Sequence, residues 1–575
     1  MRADTLTDVP FVAVAEQGVQ SLRPTIAGTK HVAAAGHYLA AQAALRILEA
    51  GGNAVDAGVT AGLVLGVVQS DIVNIAGVAP IIIYLAATDE VVTISGLGWW
   101  PNAVDPQLFV REHGGAIPHG LLRTVVPAAP DAWITALSRY GTMSFGDVAS
   151  SAIALARDGF VMYPLMAEVL ETYADNYARW PSSAAIYLPR GRAPKVGELF
   201  VQSDLARTLQ YMVDSERAAC SKGRISGLNA ARDAFYRGDI ARAIVRFHEA
   251  NGGMLTMEDM AEFRVGNEPP VSHEYRGARI YSCGPWCQGP TLLQMLAILD
   301  GIDVAQLGHN SASYVHIIIE TMKLAFRDRH RFFGDPRFIE VPINSLLDAR
   351  YCAGKRDLIG EFARGAHLSG QDEAGSPISR PTLDTSYVAV IDSHGNAFSA
   401  TPSDLSNDTP VIPGTGLCPS SRGSQSWADP ALPSSVAPHK RPRLTPAPFL
   451  ARHANGEITA FGTPGGDVQT QALLQVWLNI EAFGMPLQAA VEAARFATFD
   501  FPDSFEPHEA YPGRVNVEVR LGNAQILELR RRGHDVELWP SWAWRAGAVC
   551  VARRRADSVL EAAADPRRPA YAVGR

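Results

Sequence analysis

The sequence predicts a layered body of helices and β-strands, of the α/β or α+β class, and three observations indicate this. Ala-rich and apolar helical segments occupy residues 36–69. Two pairs of β-rich runs, IIIYLA with VVTISGLG and SYVAVI with AFSAT, are typical of neighbouring strands. Near residue 465, the strand-like run ITAFGT is followed by the turn PGGD and a helical segment. Helices that enclose strands in this way favour a layered architecture.

The first two helices are predicted from their apolar residues and their end signals. Residues 36–50 are Ala-rich and stop at Gly51-Gly52, as expected for a helix C-terminus. Asn53 can cap the next helix, AVDAGVTAGLVLGVVQ, which is apolar on nearly every side and should be buried. Residues from about 125 to 350 are predicted to be mostly helical.

A polar segment, residues 361–384, precedes a predicted strand. Residues 361–384 contain few aromatic residues and several Gly, Ser and Pro, which predicts a loop or mobile tail. SYVAVI follows as a continuous apolar run, typical of a strand buried on both faces. DSHGN is a turn signal and AFSAT a returning strand, so we expect a β-hairpin.

Composition excludes several classes of function. The chain has 575 residues, 47% hydrophobic and 19% charged, and a net charge of −8, which favours neither nucleic acid nor an anionic membrane as partner. Six cysteines are too sparse for a disulfide framework, and Cys283 and Cys287 lack a second pair at zinc spacing. Residues 1–20 lack the features of a signal peptide, and the longest apolar run, residues 61–69, is too short to span a bilayer. We therefore expect a cytoplasmic protein.

The junction of Asp384 and Thr385 carries the first chemical hypothesis. If this bond were cut, Thr385 would hold both a hydroxyl and a free α-amine. A hydroxyl needs a base to act as a nucleophile, and an α-amine with a pKa of about 7.7–8.0 can accept its proton. The alternative interpretation is an ordinary hydroxyl residue at the start of a strand.

A second candidate is FGTPGGD, residues 461–467. The two adjacent glycines, Gly465 and Gly466, let backbone N–H groups approach a ligand closely and could stabilise an oxyanion. The alternative is a strand-to-helix turn that only needs positive φ. The G-x-S-x-G, H-E-x-x-H and phosphate-loop motifs are absent from the sequence.

Together these segments resemble the γ-glutamyltransferase family of N-terminal nucleophile hydrolases. The resemblance extends over ILEAGGNAVDAGVTAGLVLGVVQ, LAFRDRHRFFGDPRF, DTSYVAVIDSHGNAFSAT and FGTPGGD, in the family's order. It implies an α+β, four-layer αββα sandwich made as a precursor and cut into residues 1–384 and 385–575. The two fragments would stay associated as one body and could pair into a dimer of processed heterodimers, with neither metal nor organic cofactor.

The resemblance also implies roles for individual residues. Thr385 matches the nucleophile, so Asp384-Thr385 is the expected cleavage site. Ser403 falls where the family has a Thr that hydrogen-bonds the nucleophile. Gly465 and Gly466 match the oxyanion glycines.

Departures from the family's pattern concern substrate recognition. Leu97 stands where γ-glutamyl enzymes have an Arg for the substrate carboxylate, and Gln425 stands near their amine-binding Asp. Charge-assisted hydrogen bonds are about twice as strong as neutral ones, so a preference for a glutamyl head should be lost. The chain is more similar to the branch that includes oxamate amidohydrolase. A small anionic amide still needs a cation, and the candidates are Arg422, Arg441 and Arg443, each of which could equally be structural.

We therefore expect an autoprocessed amidohydrolase that cleaves a small, oxamate-like amide through an acyl-enzyme on Thr385. Three alternatives stay open at this point. The protein could be a γ-glutamyl transferase or hydrolase with altered substrate anchors, an acylase for larger amides, or a binding protein that never cuts itself.

Overall fold

The computed structural model describes residues 21–364 and 384–575. Its strands are β1 Ile26–Gly28, β2 Val32–Ala35, β3 Ile81–Leu85, β4 Glu90–Ile94, β5 Phe160–Val161, β6 Leu199–Phe200, β7 Asn267–Glu268, β8 Val271–Tyr275, β9 Ala278–Ser282, β10 Val388–Ile391, β11 Ala397–Ala400, β12 Phe449–His453, β13 Ile458–Gly462, β14 Phe496–Thr498, β15 Arg514–Glu518, β16 Asp535–Trp539, β17 Cys550–Arg554, β18 Leu560–Ala564 and β19 Tyr571–Gly574.

The α-helices are α1 Tyr38–Glu49, α2 Ala54–Val68, α3 Pro106–His113, α4 Ala129–Tyr140, α5 Phe145–Asp158, α6 Pro164–Thr172, α7 Ala174–Ala178, α8 Pro181–Tyr187, α9 Ser203–Ala219, α10 Arg224–Tyr236, α11 Asp239–Ala250, α12 Met257–Glu262, α13 Gly289–Leu299, α14 Ala312–Phe332, α15 Ile343–Leu346, α16 Ala349–Arg356, α17 Val468–Glu481, α18 Leu487–Glu492 and α19 Asn523–Arg531. A short 3₁₀-helix, Arg422–Gln425, contributes to the site described below.

Two seven-stranded sheets form the centre of the molecule. Their strand orders are β1-β18-β17-β13-β12-β9-β8 and β19-β2-β10-β11-β3-β4-β7. Every pairing within these two sheets is antiparallel, and helices of both halves of the chain cover them. The class is therefore α+β rather than α/β.

Alternation of side chains along β10 shows the four layers. Val388 and Val390 pack in the apolar cluster that contains α1 and α2. Tyr387, Ala389 and Ile391 point to the opposite face and pack against residues of β12, β13, β17 and β18 in the other sheet. A third cluster joins the far face of that sheet to α13, α14 and α17. Both faces of β10 are thus buried, as its continuous apolar sequence predicts.

The predicted N-terminal helix pair is confirmed. Helix α1 begins after His37, whose ring accepts a hydrogen bond from the backbone of Leu39, and ends before Gly51 with φ of 94°. Asn53 and Asp56 form a reciprocal capping box at the start of α2, and all of α2 is buried.

The β-hairpin after residue 384 is also confirmed, with Val388 opposite Ala400 and Ile391 opposite Ala397. The prediction of a mostly helical stretch from about 125 to 350 is incomplete, because β8 and β9 form a hairpin within it. Strand β8, VSHEY, is a half-buried strand at the edge of its sheet, so it lacks the apolar alternation that would predict it.

Both large sheets contain strands from either side of the 384–385 junction. The first sheet combines β1, β8 and β9 with β12, β13, β17 and β18, and the second combines β2, β3, β4 and β7 with β10, β11 and β19. A cut at this junction would therefore not separate two independent folding units.

Two sequence expectations fall largely outside the described residues. These are the absence of a signal peptide in residues 1–20 and the loop at 361–384, of which 365–383 are not described. None of the described helices is long and apolar enough to cross a membrane. All six cysteines are free, and five of them are buried.

We expect Gly58→Ala to destabilise the protein by about 1–3 kcal/mol, because a Cβ at Gly58 in α2 would lie 2.1 Å from the Phe398 ring of β11. Urea unfolding of the variant measures the effect. Gly354→Ala in α16 is the matched control, since its Cβ would meet open space and Ala favours a helix by about 1 kcal/mol. Equal stability of the two variants would contradict close packing of α2 on β11.

Asp71, in the turn after α2, predicts a pH dependence of stability. Burial raises the pKa of Asp71 to about 7 from its ordinary value of 3.8. Between these values the folded state keeps a proton that the unfolded state releases, so stability should fall as pH rises from 4 to 7. Asp71→Asn should remove this loss, up to about 4 kcal/mol at about 1.4 kcal/mol per pKa unit. Thermal denaturation of both proteins at pH 4.5 and 7.5 measures the difference, and an unchanged pH slope would contradict it.

Candidate active site

Thr385 lies three residues before the start of β10 and is fully buried. Its φ is 72°, in the left-handed region that β-branched residues rarely adopt. Its backbone N–H donates to the carbonyl of Ile72 at 3.2 Å, which holds this conformation in place. The backbone is therefore strained at the residue for which cleavage is predicted.

Ser403 contacts the Thr385 hydroxyl, with 2.6 Å between the two side-chain oxygens. Two backbone hydrogen bonds of 3.0 Å between Ser403 and Val78, one in each direction, fix its position. The residue predicted to orient the nucleophile is thus within hydrogen-bond distance of it.

The Gly-Gly turn connects β13 to α17. Gly465 and Gly466 have φ values of 123° and 55°, so both need the conformational freedom of glycine. The Gly466 N–H donates at 2.8 Å to Oδ1 of Asp384, which lies at the N-terminus of α17. Such helix ends bind anions through free N–H groups and the helix dipole.

Asp467, the residue after Gly466, holds the Gly-Gly turn in place. Its carboxylate forms a buried ion pair with Arg329 of α14 and accepts hydrogen bonds from Ser504 N–H and Oγ at 2.8 and 2.7 Å. Gln288 donates at 2.8 Å to the carbonyl of Gly466. Sequence reasoning missed these supports, although Arg329 belongs to the LAFRDRHRFF segment that carries the family resemblance.

The Asp384 carboxylate is the central hydrogen-bond acceptor of the site. Besides the contact with Gly466, its Oδ2 accepts hydrogen bonds from the Thr385 hydroxyl at 2.7 Å and from Nη1 of Arg422 at 3.2 Å. The backbone carbonyl of Asp384 faces Nη1 of Arg568 at 3.5 Å. Burial lowers the pKa of Arg568 to about 10, which still leaves it cationic at neutral pH.

Arg422 lies in the 3₁₀-helix and donates to the Asp384 carboxylate. It is fully buried, donates to Oγ of Ser403, and lies 3.7 Å from the Asp404 carboxylate. Asp404 also accepts hydrogen bonds from Ser420 and Ser421, which hold it behind the guanidinium. Asp404 is a second residue that sequence reasoning missed.

The other predicted substrate residues contact groups other than the Thr385 hydroxyl. Gln425 donates to Oγ1 of Thr445 at 2.9 Å. Arg441 forms ion pairs with Asp335, at 2.9 Å, and with Glu268. These contacts give Arg441 a structural role.

Arg443 is buried and connects to the Gly-Gly turn indirectly. It donates to Oγ of Ser504 at 3.1 Å, and its guanidinium lies 4.9 Å from the centre of the Trp427 ring. Burial, with the nearby cation Arg329 as a second cause, holds its pKa well below the usual value.

Leu97, at the position of the family's arginine, is buried in the core and offers no charge. Trp100 is also fully buried and packs against Gly423, where a Cβ would lie 2.5 Å from its ring. Its Nε1 donates to Ser426 at 3.0 Å. Trp100 therefore supports the turn that carries Arg422.

A small cavity of about 30 Å³ borders Gly465, Gly466 and Arg568. It adjoins a cleft of about 260 Å³, and both share Phe499, Asp503, Phe505 and Arg545 in their walls. The cleft adds aromatic walls from Tyr511 and Trp539. Burial raises the pKa of Asp503 to about 7, and the neighbouring Asp467 carboxylate adds to this effect.

Comparisons with known proteins identify relatives that match most of the chain's length. The glutathione hydrolase-like YwrD proenzyme of Bacillus subtilis (strain 168) is 32% identical over 96% of this chain and 100% of its own length. The acylase ACY 1 proenzyme of Pseudomonas sp. (strain SE83) is 32% identical over 91% of this chain and 90% of its own length. The oxamate amidohydrolase proenzyme of Klebsiella pneumoniae is 27% identical over 95% of this chain and 98% of its own length.

The fold agrees as well. The crystal structure of cephalosporin acylase from Bacillus halodurans superposes with a TM-score of 0.85, 27% identity and coverage of 98% of both chains. The model of the gamma-glutamyltranspeptidase family matches residues 40–574. The chain therefore belongs to the gamma-glutamyltranspeptidase family and is an enzyme with the N-terminal nucleophile hydrolase fold.

Proposed function

We propose that the chain cuts itself between Asp384 and Thr385 and then hydrolyses a small amide that carries a carboxylate. The observation that supports this best is the convergence on one buried hydroxyl. Thr385 Oγ1 lies 2.6 Å from the Ser403 hydroxyl, and the Gly466 N–H lies across the Asp384 carboxylate from it.

In the processed enzyme, the Thr385 α-amine accepts the hydroxyl proton while Oγ1 attacks the amide carbonyl. The amine returns this proton to the leaving nitrogen, so ammonia or an amine departs and an ester on Thr385 remains. Water then attacks the ester, again with the α-amine as base, and releases the acid. Ser403 orients the hydroxyl through these steps.

The N–H groups of Gly465 and Gly466 hold the oxyanion. Each such donor contributes roughly 2.7–4 kcal/mol to the transition state when it is pre-oriented. The ion pair of Asp467 with Arg329 behind the turn supplies that orientation. This mechanism needs neither a metal nor an organic cofactor.

Arg422 favours a substrate with a carboxylate next to the amide. In the uncut chain it contacts the Asp384 carboxylate, which lies within 2.7 Å of the nucleophilic oxygen. Once the cut frees Asp384, an acid of oxamate size can take that position and pair with the guanidinium. The oxamate amidohydrolase relative is consistent with this substrate class. Leu97 removes the cation that a γ-glutamyl head would need.

An acylase acting on larger amides is the second candidate. The cleft of about 260 Å³ beside Gly465 and Gly466 has the aromatic walls that hold an apolar acyl or amine group. The acylase relatives also favour it.

We further propose that residues 1–384 and 385–575 form the large and small subunits and remain associated. Their strands share both central sheets, so separation would break the hydrogen bonds between β2 and β10 and between β3 and β11.

We expect wild-type protein to give fragments of 384 and 191 residues (575 − 384), the smaller beginning Thr-Ser-Tyr-Val-Ala. Thr385→Ala should remain a single chain and lose amidase activity by a factor of roughly 10³ or more, because the nucleophile is gone. A denaturing gel, N-terminal sequencing and ammonia release measure this. Ser386→Ala, which removes the adjacent hydroxyl, should still be cut. Cleavage of Thr385→Ala at the same bond would contradict the proposal.

If Arg422 binds the substrate carboxylate, its replacement should slow hydrolysis of an anionic amide more than hydrolysis of a neutral one. Arg422→Lys should lower kcat/KM for oxamate about 10- to 150-fold, since a hydrogen bond to a charged group contributes about 1.5–3 kcal/mol. Oxamide, the neutral isostere, should lose less than about threefold. Rates are measured per mole of N-terminal threonine, because Arg422 also contacts Ser403 and Asp384. Equal losses for both amides would exclude Arg422 as the carboxylate partner, and faster turnover of bulky aromatic amides by wild type would favour the acylase.

A further inference from the structure

Self-cleavage needs a base that the mature mechanism cannot supply. Before the cut, the nitrogen of Thr385 is part of a peptide bond and donates to the carbonyl of Ile72 at 3.2 Å. An amide nitrogen has no basic lone pair, so it cannot accept the hydroxyl proton. The inference below rests on the proposed cleavage between Asp384 and Thr385.

We propose that the Asp384 carboxylate is the proton acceptor for self-cleavage and that Arg568 holds the oxyanion of this step. Asp384 Oδ2 already accepts a hydrogen bond from the Thr385 hydroxyl at 2.7 Å. The other described residue in hydrogen-bond contact with that hydroxyl is Ser403, which is itself a neutral hydroxyl bonded by Arg422. Asp384 is thus the basic group in direct contact with the reacting oxygen.

The Asp384 side chain is held in this orientation from three directions. Gly466 N–H donates to Oδ1 at 2.8 Å, Arg422 Nη1 donates to Oδ2 at 3.2 Å, and the Thr385 hydroxyl donates to the same oxygen. Asp384 and Arg422 are both fully buried. The carboxylate is therefore fixed against Oγ1, as general-base catalysis requires.

The same geometry indicates that Arg568 is the oxyanion donor during self-cleavage. In the uncut chain the Gly466 N–H is occupied by the Asp384 side chain and does not face the bond to be cut. The carbonyl oxygen of that bond instead lies 3.5 Å from Arg568 Nη1, a contact that can shorten as the oxygen becomes negative. Processing and amide hydrolysis would therefore use different oxyanion donors.

The step balances as an N-to-O acyl shift followed by hydrolysis. Oγ1 transfers its proton to Asp384 Oδ2 and bonds to the Asp384 carbonyl carbon, whose oxygen becomes the oxyanion beside Arg568. The C–N bond then breaks and the nitrogen takes the proton from Oδ2. An ester between Asp384 and Thr385 remains, and water hydrolyses it to the α-carboxylate of Asp384 and the free hydroxyl and amine of Thr385.

The test follows cleavage of freshly purified full-length chain over time on denaturing gels. Asp384→Asn keeps the size and an acceptor for Gly466 but removes the base, so we expect cleavage about 10²- to 10⁴-fold slower than wild type. Asp429→Asn, which makes the same change at an exposed aspartate, should be cut at the wild-type rate. Thermal denaturation establishes that each variant is folded.

Two pairs of variants, each similar in size, test the charge at positions 384 and 568. Asp384→Glu should be cut at least tenfold faster than Asp384→Gln. Likewise Arg568→Lys, which keeps a cation, should be cut faster than Arg568→Met. Asp384→Asn cleaved at the wild-type rate, or Glu no faster than Gln at position 384, would overturn the role of Asp384. Equal rates for the two Arg568 variants would overturn that of Arg568.

Thr385→Ala separates this inference from the proposed function. If Thr385→Ala stays whole while Asp384→Asn is cut normally, Thr385 remains the nucleophile and only the base assignment fails. If Thr385→Ala is itself cut, the proposed function fails and this inference with it.

Discussion

The hydrogen bond between the Thr385 hydroxyl and the Asp384 carboxylate is the interaction on which the site depends. It is completely buried, and an isolated carboxylate there would be strongly destabilising. Arg422 and the N-terminus of α17 compensate that charge, and Arg422 in turn is balanced by Asp404. The predicted nucleophile, the Gly-Gly turn and the candidate substrate cation are therefore parts of one electrostatic unit.

The stacked sheets make that unit rigid. Thr385 precedes a strand whose two faces are both buried, so its left-handed backbone conformation is held by the core rather than by local sequence preference. Because both sheets contain strands from either side of the junction, a break at residue 384 would leave most cross-strand hydrogen bonds intact. The fold can thus tolerate a cut at this strained position.

Sequence alone predicts the local elements and the main-chain chemistry of this site, because these depend on contiguous residues. Helices α1 and α2, the hairpin of β10 and β11 and the strand–glycine–helix unit all have clear patterns. The supports of the site do not have such patterns. Arg329 and Arg568 come from distant parts of the chain, and Asp404, although it follows Ser403, looks like an ordinary charged residue. Arg441 is the opposite case. The sequence makes it a candidate for substrate binding, and its ion pairs with Asp335 and Glu268 become visible only in the folded structure.

If Arg422 holds a substrate carboxylate, as proposed, geometry also limits the length of the acyl group. Nη1 of Arg422 lies 3.2 Å from an Asp384 carboxylate oxygen that is itself 2.7 Å from Oγ1 of Thr385. A carboxylate bound there lies close to the carbonyl under attack, whereas the α-carboxylate of a γ-glutamyl group is separated from its amide carbonyl by three carbons. Moving the cation from the position of Leu97 to that of Arg422 would thus convert a site for long, zwitterionic acyl groups into one for short anionic amides. A larger substituent would then have to extend the other way, from the amide nitrogen into the aromatic cleft.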